Sequence, residues 1–127
     1  MDTLSFSDHR PNPLRVFMTG ASGCIGHYIL ELLLESDRYE LFLLLRHPEK
    51  LKLPVQGNPR VHILRGGLEQ VAPFAELLAT VDIAILTAAA WGGDPGYVDA
   101  INVGGNLELM GYLNPERCQQ VIYFSTA

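Results

Sequence analysis

Residues 16–29 read VFMTGASGCIGHYI, and the order of residue types in this stretch decides the fold. An apolar run ends at Thr19. Gly20, Gly23 and Gly26 then follow at regular intervals of three. Beyond them an amphipathic run starts, in which helical spacing groups Ile25, Ile29, Leu32 and Leu33 on one face. The glycines therefore lie at the seam between a strand and a helix.

Outward from this seam the same alternation continues. LRVFMT (14–19) is the first strand and GCIGHYILELLLE (23–35) the helix after it. ELFLLLR (40–46) is continuously apolar, as in a parallel strand covered on both faces. Pro48, Pro54, Gly57 and Pro59 make residues 47–60 mostly loop. VHIL (61–64) is a third strand. Pro73 suits a first helical turn, and FAELLATV (74–81) follows as a short helix. DIAILTAAA (82–90) is a fourth strand with a polar entry at Asp82. Gly92, Gly93, Pro95 and Gly96 break the chain before a longer helix over about 97–113, which Gly104, Gly105 and Gly111 weaken. QVIYFS (120–125) is a fifth strand. Strands separated by helices require crossover connections. The expected fold is therefore α/β, a Rossmann-type doubly wound parallel sheet with strand order 3-2-1-4-5.

The chain has 127 residues, enough for one domain, and its 48% hydrophobic content supplies a real core. Residues 1–13 read as a loose, polar leader and 14–127 as the folded part. The net charge of −5 offers no basic footprint, so neither nucleic acid nor an anionic membrane surface is expected as a partner. Cys24 and Cys118 form no CxxC pair, which fits a reducing cytosol. The N-terminus lacks the pattern of a signal peptide, and no apolar run is long enough to span a bilayer. The expected location is cytoplasmic.

A strand that ends in glycine and passes at once into a helix is the setting for a dinucleotide. The first helical turn has amides without intrahelical acceptors and a partial positive charge, which together attract a pyrophosphate. Gly20 would make the tight turn and Gly23 would let the main chain approach the phosphates. Gly26 would let helix and strand pack closely. The amides from Ser22 through Gly23 and Cys24 to Ile25 would be the donors. A glycine-rich turn without ligand is the competing reading, and the position of the triplet in the first of several alternating units disfavours it.

Here the sequence resembles the extended short-chain dehydrogenase/reductase family, the NAD(P)-dependent epimerase/dehydratase group. TGASGCIG (19–26) is similar to its TGxxGxxG loop. RGGLEQ (65–70) resembles its GDL element, with Gly67 in place of the aspartate. ILTAAAWGG (85–93) resembles the small-residue end of the fourth strand, INVGGN (101–106) the NVxGT segment, and YFSTA (123–127) the end of the fifth strand. The resemblance covers essentially residues 15–127. It implies an oxidoreductase or epimerase/dehydratase acting on a hydroxyl or carbonyl substrate. It also implies that the backbone of Gly67 and Leu68 flanks the adenine, and that Thr126 matches the catalytic Ser/Thr.

The family's Tyr-x-x-x-Lys pair has no counterpart here. None of Tyr28, Tyr39, Tyr97, Tyr112 or Tyr123 is followed four residues later by lysine. The expectation is an N-terminal portion of such a protein, truncated before that pair and the substrate-binding part, and inactive alone because proton transfer has no partner. The alternative is a non-catalytic dinucleotide-binding or redox-sensing module. An uncovered fifth-strand edge, VIYFS, would favour self-association.

NAD is usually held by an acid about 20 residues beyond the glycines. Here that residue is Arg46. A guanidinium there pairs with a 2′-phosphate, with Lys50 or Lys52 able to assist, so NADP is favoured over NAD as cofactor. The other readings are structural. Cys24 reads as a packing residue whose amide faces phosphate rather than as a redox thiol. His9, His27, His47 and His62 lack ligand spacing, so no metal is expected. Ala88, Ala89 and Ala90 are small either because the cofactor lies against them or because the strand end packs closely. Asn102 would tie the last helix to the fourth strand, and Trp91 would either line the substrate side or pack.

Overall fold

The computed structural model describes residues 13–87, 96 and 101–124. Its elements are β1 (Leu14–Thr19), α1 (Cys24–Leu34), β2 (Tyr39–Leu45), β3 (Val61–Arg65), α2 (Ala75–Leu78), β4 (Ile83–Leu86), α3 (Asn106–Tyr112) and β5 (Gln120–Tyr123). All four strand pairings are parallel, and the spatial order is β3-β2-β1-β4-β5, as expected from the crossovers. The register sets Thr19 opposite Leu44 and Leu86, so the C-terminal ends of β1, β2 and β4 form one edge.

The continuous apolar runs are explained by two cores, one on each face. Phe17, Phe42, Leu44, Ala84 and Leu86 point to one side, where Val71, Leu78, Val81 and Leu109 cover them. Val16, Met18, Leu41, Leu43, Leu45 and Ile85 point to the other, under Ala21 and Leu30. Each fully buried large side chain contributes about 1.5–3 kcal/mol of transfer free energy. The strict alternation along β1 and β2 is the period-two geometry of a strand, with both phases apolar.

The structure corrects the expected face of α1. Gly26 and Leu30 are buried, with Ile29, Leu33 and Leu34 packed beside them, whereas Ile25 and Leu32 are exposed at 51% and 67%. The helix is rolled so that glycine, its smallest residue, meets the sheet. A Cβ at Gly26 would run into the Gly20 carbonyl and the Ala21 Cα, so close approach at this point outweighs the burial of Ile25 and Leu32. The helix over 97–113 also differs. Ile101–Gly105 is a wide π-helical turn, and the α-helix proper starts at Asn106. The second helix is shorter than expected: a 3₁₀ turn at Ala72–Phe74 holds Pro73, and only Ala75–Leu78 is α-helical.

The edge remote from the glycine loop is closed by charge. Asp82, almost completely buried, accepts the Arg15 amide N–H at 2.8 Å and lies 3.4 Å from Arg117 Nε. The Arg15 side chain lies over the Phe42 ring and donates to Glu40 at 3.0 Å, and His62 Nε2 is 2.8 Å from the same carboxylate. Among the described residues no helix is long and apolar enough to cross a membrane.

Candidate functional site

Gly20 leaves β1 with φ of 76°, a backbone conformation that an L side chain strains to adopt. The turn is locked by Gly23 N–H donating to the Gly20 carbonyl at 3.0 Å, and His27 N–H donates to Gly23 at 2.8 Å as the helix begins. Gly23 is the N-cap residue, in extended conformation. No side chain caps this end, and the first turn holds no acid. Ser22, Gly23, Cys24 and Ile25 are exposed, while Gly26 is buried against Gly20. Among the described residues, no side chain caps the exposed first turn of this 11-residue helix.

This end of α1 follows β1, which lies between β2 and β4. Thr87 donates twice to the fully buried Thr19 and so joins the two strand ends: its N–H to Thr19 Oγ1 at 3.1 Å and its Oγ1 to the Thr19 carbonyl at 2.7 Å. The threonine pair fixes the point from which the chain runs on to Ala88. Sequence reasoning did not single it out, and the hydroxyl residues ending two neighbouring strands were the available signal.

Arg46 follows the last residue of β2 and is therefore on the same edge. Its Nη2 donates to Glu69 Oε2 at 2.6 Å across the backbone of Gly67. This hydrogen bond, more than any other influence, holds the Glu69 carboxyl below its ordinary pKa. The side chains of Arg46 and Glu69 remain 53% and 30% exposed. Gly67 is extended and caps the short turn Leu68–Gln70. The Leu68 side chain is buried in the core, and a Cβ on Gly105 would lie 2.6 Å from the Leu68 carbonyl, so the π-helical turn is pressed onto this loop. Sequence reasoning singled out Gly105 as one of three glycines that let something approach the helix closely, and Leu68 is what approaches it; Glu69 was not found. Glu69 lies 23 residues from Arg46, and no periodicity connects them.

The structure therefore brings Gly20, Ser22, Gly23, Cys24, Ile25, Gly26, Arg46, Gly67 and Leu68 to the C-terminal edge of the sheet. Ala88, Ala89, Ala90, Trp91 and Thr126 lie outside the described residues. Among the described residues no group of three or more His, Cys, Asp or Glu side chains could hold a metal ion.

The NAD(P)H-binding family matches residues 20–122, from the first glycine of the loop into β5. The chain belongs to the NAD(P)H-binding family. No curated protein matches the sequence. Among solved structures, the NAD(P)H-binding chain is similar to the enzyme WbmG from Bordetella bronchiseptica in complex with NAD, at a TM-score of 0.76 and 18% identity, over 94% of this chain and 39% of that one. It is similar to WbmH from the same organism, in complex with NAD+, at 0.64 and 27% identity, over 78% of this chain and 34% of that one. UDP-glucuronic acid 4-epimerase from Bacillus cereus in complex with NAD matches at 0.72 and 19% identity, over 90% and 40%. These structures share the fold of this chain, and the family match makes a nicotinamide dinucleotide the cofactor class of the NAD(P)H-binding domain. The chain spans between a third and a half of the length of these structures.

The residues present fit such a group. Gly23 carries no side chain to obstruct the approach to the uncapped amides, and Arg46 stands one strand away. When bound, the dinucleotide would supply hydride transfer.

Proposed function

We propose that the chain is the dinucleotide-binding part of an NADP-preferring oxidoreductase or epimerase/dehydratase that acts on a hydroxyl or carbonyl substrate in the cytoplasm. The observation that carries this reading is the uncapped N-terminus of α1 directly after Gly20, with Gly26 closed against the strand end. Amides of Ser22, Cys24 and Ile25 hold the pyrophosphate, the Gly23 N–H being taken by the Gly20 carbonyl, and Gly67 and Leu68 flank the adenine. Arg46 supports the preference for NADP, because a guanidinium and not a carboxylate ends β2. Ala88, Ala89 and Ala90 line the cofactor, and Thr126 is assigned to hydrogen-bond the substrate oxygen.

No tyrosine among the 127 residues has lysine four positions later, so the chain alone binds cofactor without turnover. That same feature favours a second reading, a non-catalytic dinucleotide-binding or redox-sensing module. The exposed Val121, Tyr123 and Phe124 at the sheet's edge support self-association through β5. Light scattering showing a single monomeric species at high concentration would remove that last element.

Calorimetric titration of the chain with NADPH and NADH tests the main reading. Saturable binding of both, tighter for NADPH, is the expected result. Absence of binding by either at millimolar concentration overturns it. NADPH-coupled reduction by the chain alone would overturn the assignment as a binding part without turnover.

A further inference from the structure

Gly67 occupies the space between two opposite charges. A Cβ built on it would collide with Cζ and Nη2 of Arg46 and would stand 2.7 Å from Glu69 Oε1. With no side chain at Gly67, the guanidinium crosses this backbone directly to the carboxylate beyond it; a Cβ there would oblige one of these two flexible side chains to shift. Arg46 therefore already holds an anion from its own chain, at 2.6 Å, on the edge where the adenosine end of the cofactor is assigned.

We propose that Glu69 is a specificity-determining residue of the cofactor site, competing with a 2′-phosphate for Arg46 and accepting a hydrogen bond from a 2′-hydroxyl. The inference rests on the assignment of Arg46 to the adenosine end. A phosphate bound by Arg46 has more charge and more acceptor oxygens than a carboxylate, so it takes the guanidinium. It then lies near the displaced Glu69 carboxylate, and the like charges weaken its binding. A neutral 2′-hydroxyl meets no such repulsion, and a carboxylate is its usual acceptor in this fold. Arg46 thus favours NADPH while Glu69 offsets part of that preference. Gly67 is the gap through which the two residues act on each other.

The test is the ratio of dissociation constants for NADH and NADPH in the full chain and in Glu69→Gln. The expected result is a rise in that ratio of about five- to tenfold, because the glutamine amide carries no charge to repel the phosphate. A ratio unchanged, or lowered, overturns the proposal. A purely structural role for Glu69 would move both constants together. Failure of the unaltered chain to bind either cofactor identifies the underlying reading as the error, before any variant is compared, and removes the proposal with it.

A second measurement needs no variant. In the unaltered protein the Glu69 carboxyl carbon is followed by NMR with 2′,5′-ADP or with 5′-ADP. The 2′-phosphate should take Arg46 from Glu69 and shift the carboxyl titration to higher pH, and 5′-ADP should leave it in place. The same response to both nucleotides overturns the proposal.

Discussion

Gly26 lies against the Gly20 carbonyl, six residues earlier in the chain, with no room for a methyl group between them. The contact joins the start of α1 to the end of β1, and both partners are backbone, so neither can move aside as a flexible side chain would.

Gly26→Ala is therefore expected to lower unfolding free energy by about 3 kcal/mol, the upper part of the range for overpacking. Because the shift occurs under the glycine turn to which the pyrophosphate is assigned, dinucleotide affinity should fall with it. Urea denaturation and cofactor titration of the variant measure the two effects. A variant as stable as the parent would show that the close approach is not required.

Gly111 is the contrasting case. It lies within α3, and a Cβ there meets nothing within 4 Å. Gly111→Ala should stabilise the protein by about 0.5–1 kcal/mol, by restricting the unfolded chain and removing a poor helix former. A rise in the thermal midpoint is the measurement, and a fall would contradict the open surroundings of this position.

Cys24 and Cys118 provide a footprint of the site. Cys24 is exposed at the first turn of α1, whereas burial raises the pKa of the Cys118 thiol and slows its alkylation. Iodoacetamide should modify Cys24 first. Saturating NADPH should protect Cys24 and leave the Cys118 rate unchanged, as read by mass spectrometry. Unaltered Cys24 labelling under saturation would place the pyrophosphate elsewhere.

The Arg46–Glu69 pair gives stability a defined pH dependence. Arg46 lowers the Glu69 carboxyl pKa below its ordinary 4.5 in the folded state, so the unfolded chain binds that proton more readily. The contribution is complete above the unfolded value and disappears as the pH falls through the lower, folded one. It amounts to less than about 1 kcal/mol, because both side chains are partly exposed and screened. Urea midpoints of the parent and Glu69→Gln should differ slightly at neutral pH and converge in strong acid. Divergence on acidification would reverse the sign of the coupling.

The strands were legible because each is a short apolar run bounded by glycine, proline or charge, and parallel order followed from the intervening helices. The roll of α1 was not. Its apolar residues exceed one face, and the choice between them was made by the bare backbone of Gly26 rather than by hydrophobic count. At the site, the glycine triplet and Arg46 could be read from position along the chain. The Glu69 contact could not, since it depends on β2 and β3 lying side by side and on Gly67 lacking a side chain. The same limit hid the Thr19–Thr87 pair, whose members become neighbours only when β4 docks on β1.

That pair also bears on how the protein reaches its fold. β1 lies in the middle of the sheet, and the hydrogen bonds between Thr19 and Thr87 join residues 68 apart in sequence. β2 can dock after a short crossover, but the other edge of β1 stays open until α1, β2, β3 and α2 have been placed along the way. Contacts this far apart in sequence form only after a loop is closed, and topologies rich in such non-local pairings fold slowly. The docking of β4 beside β1 is therefore expected to coincide with the slow phase of refolding. Cofactor-binding competence should emerge together with the slow phase rather than with early collapse.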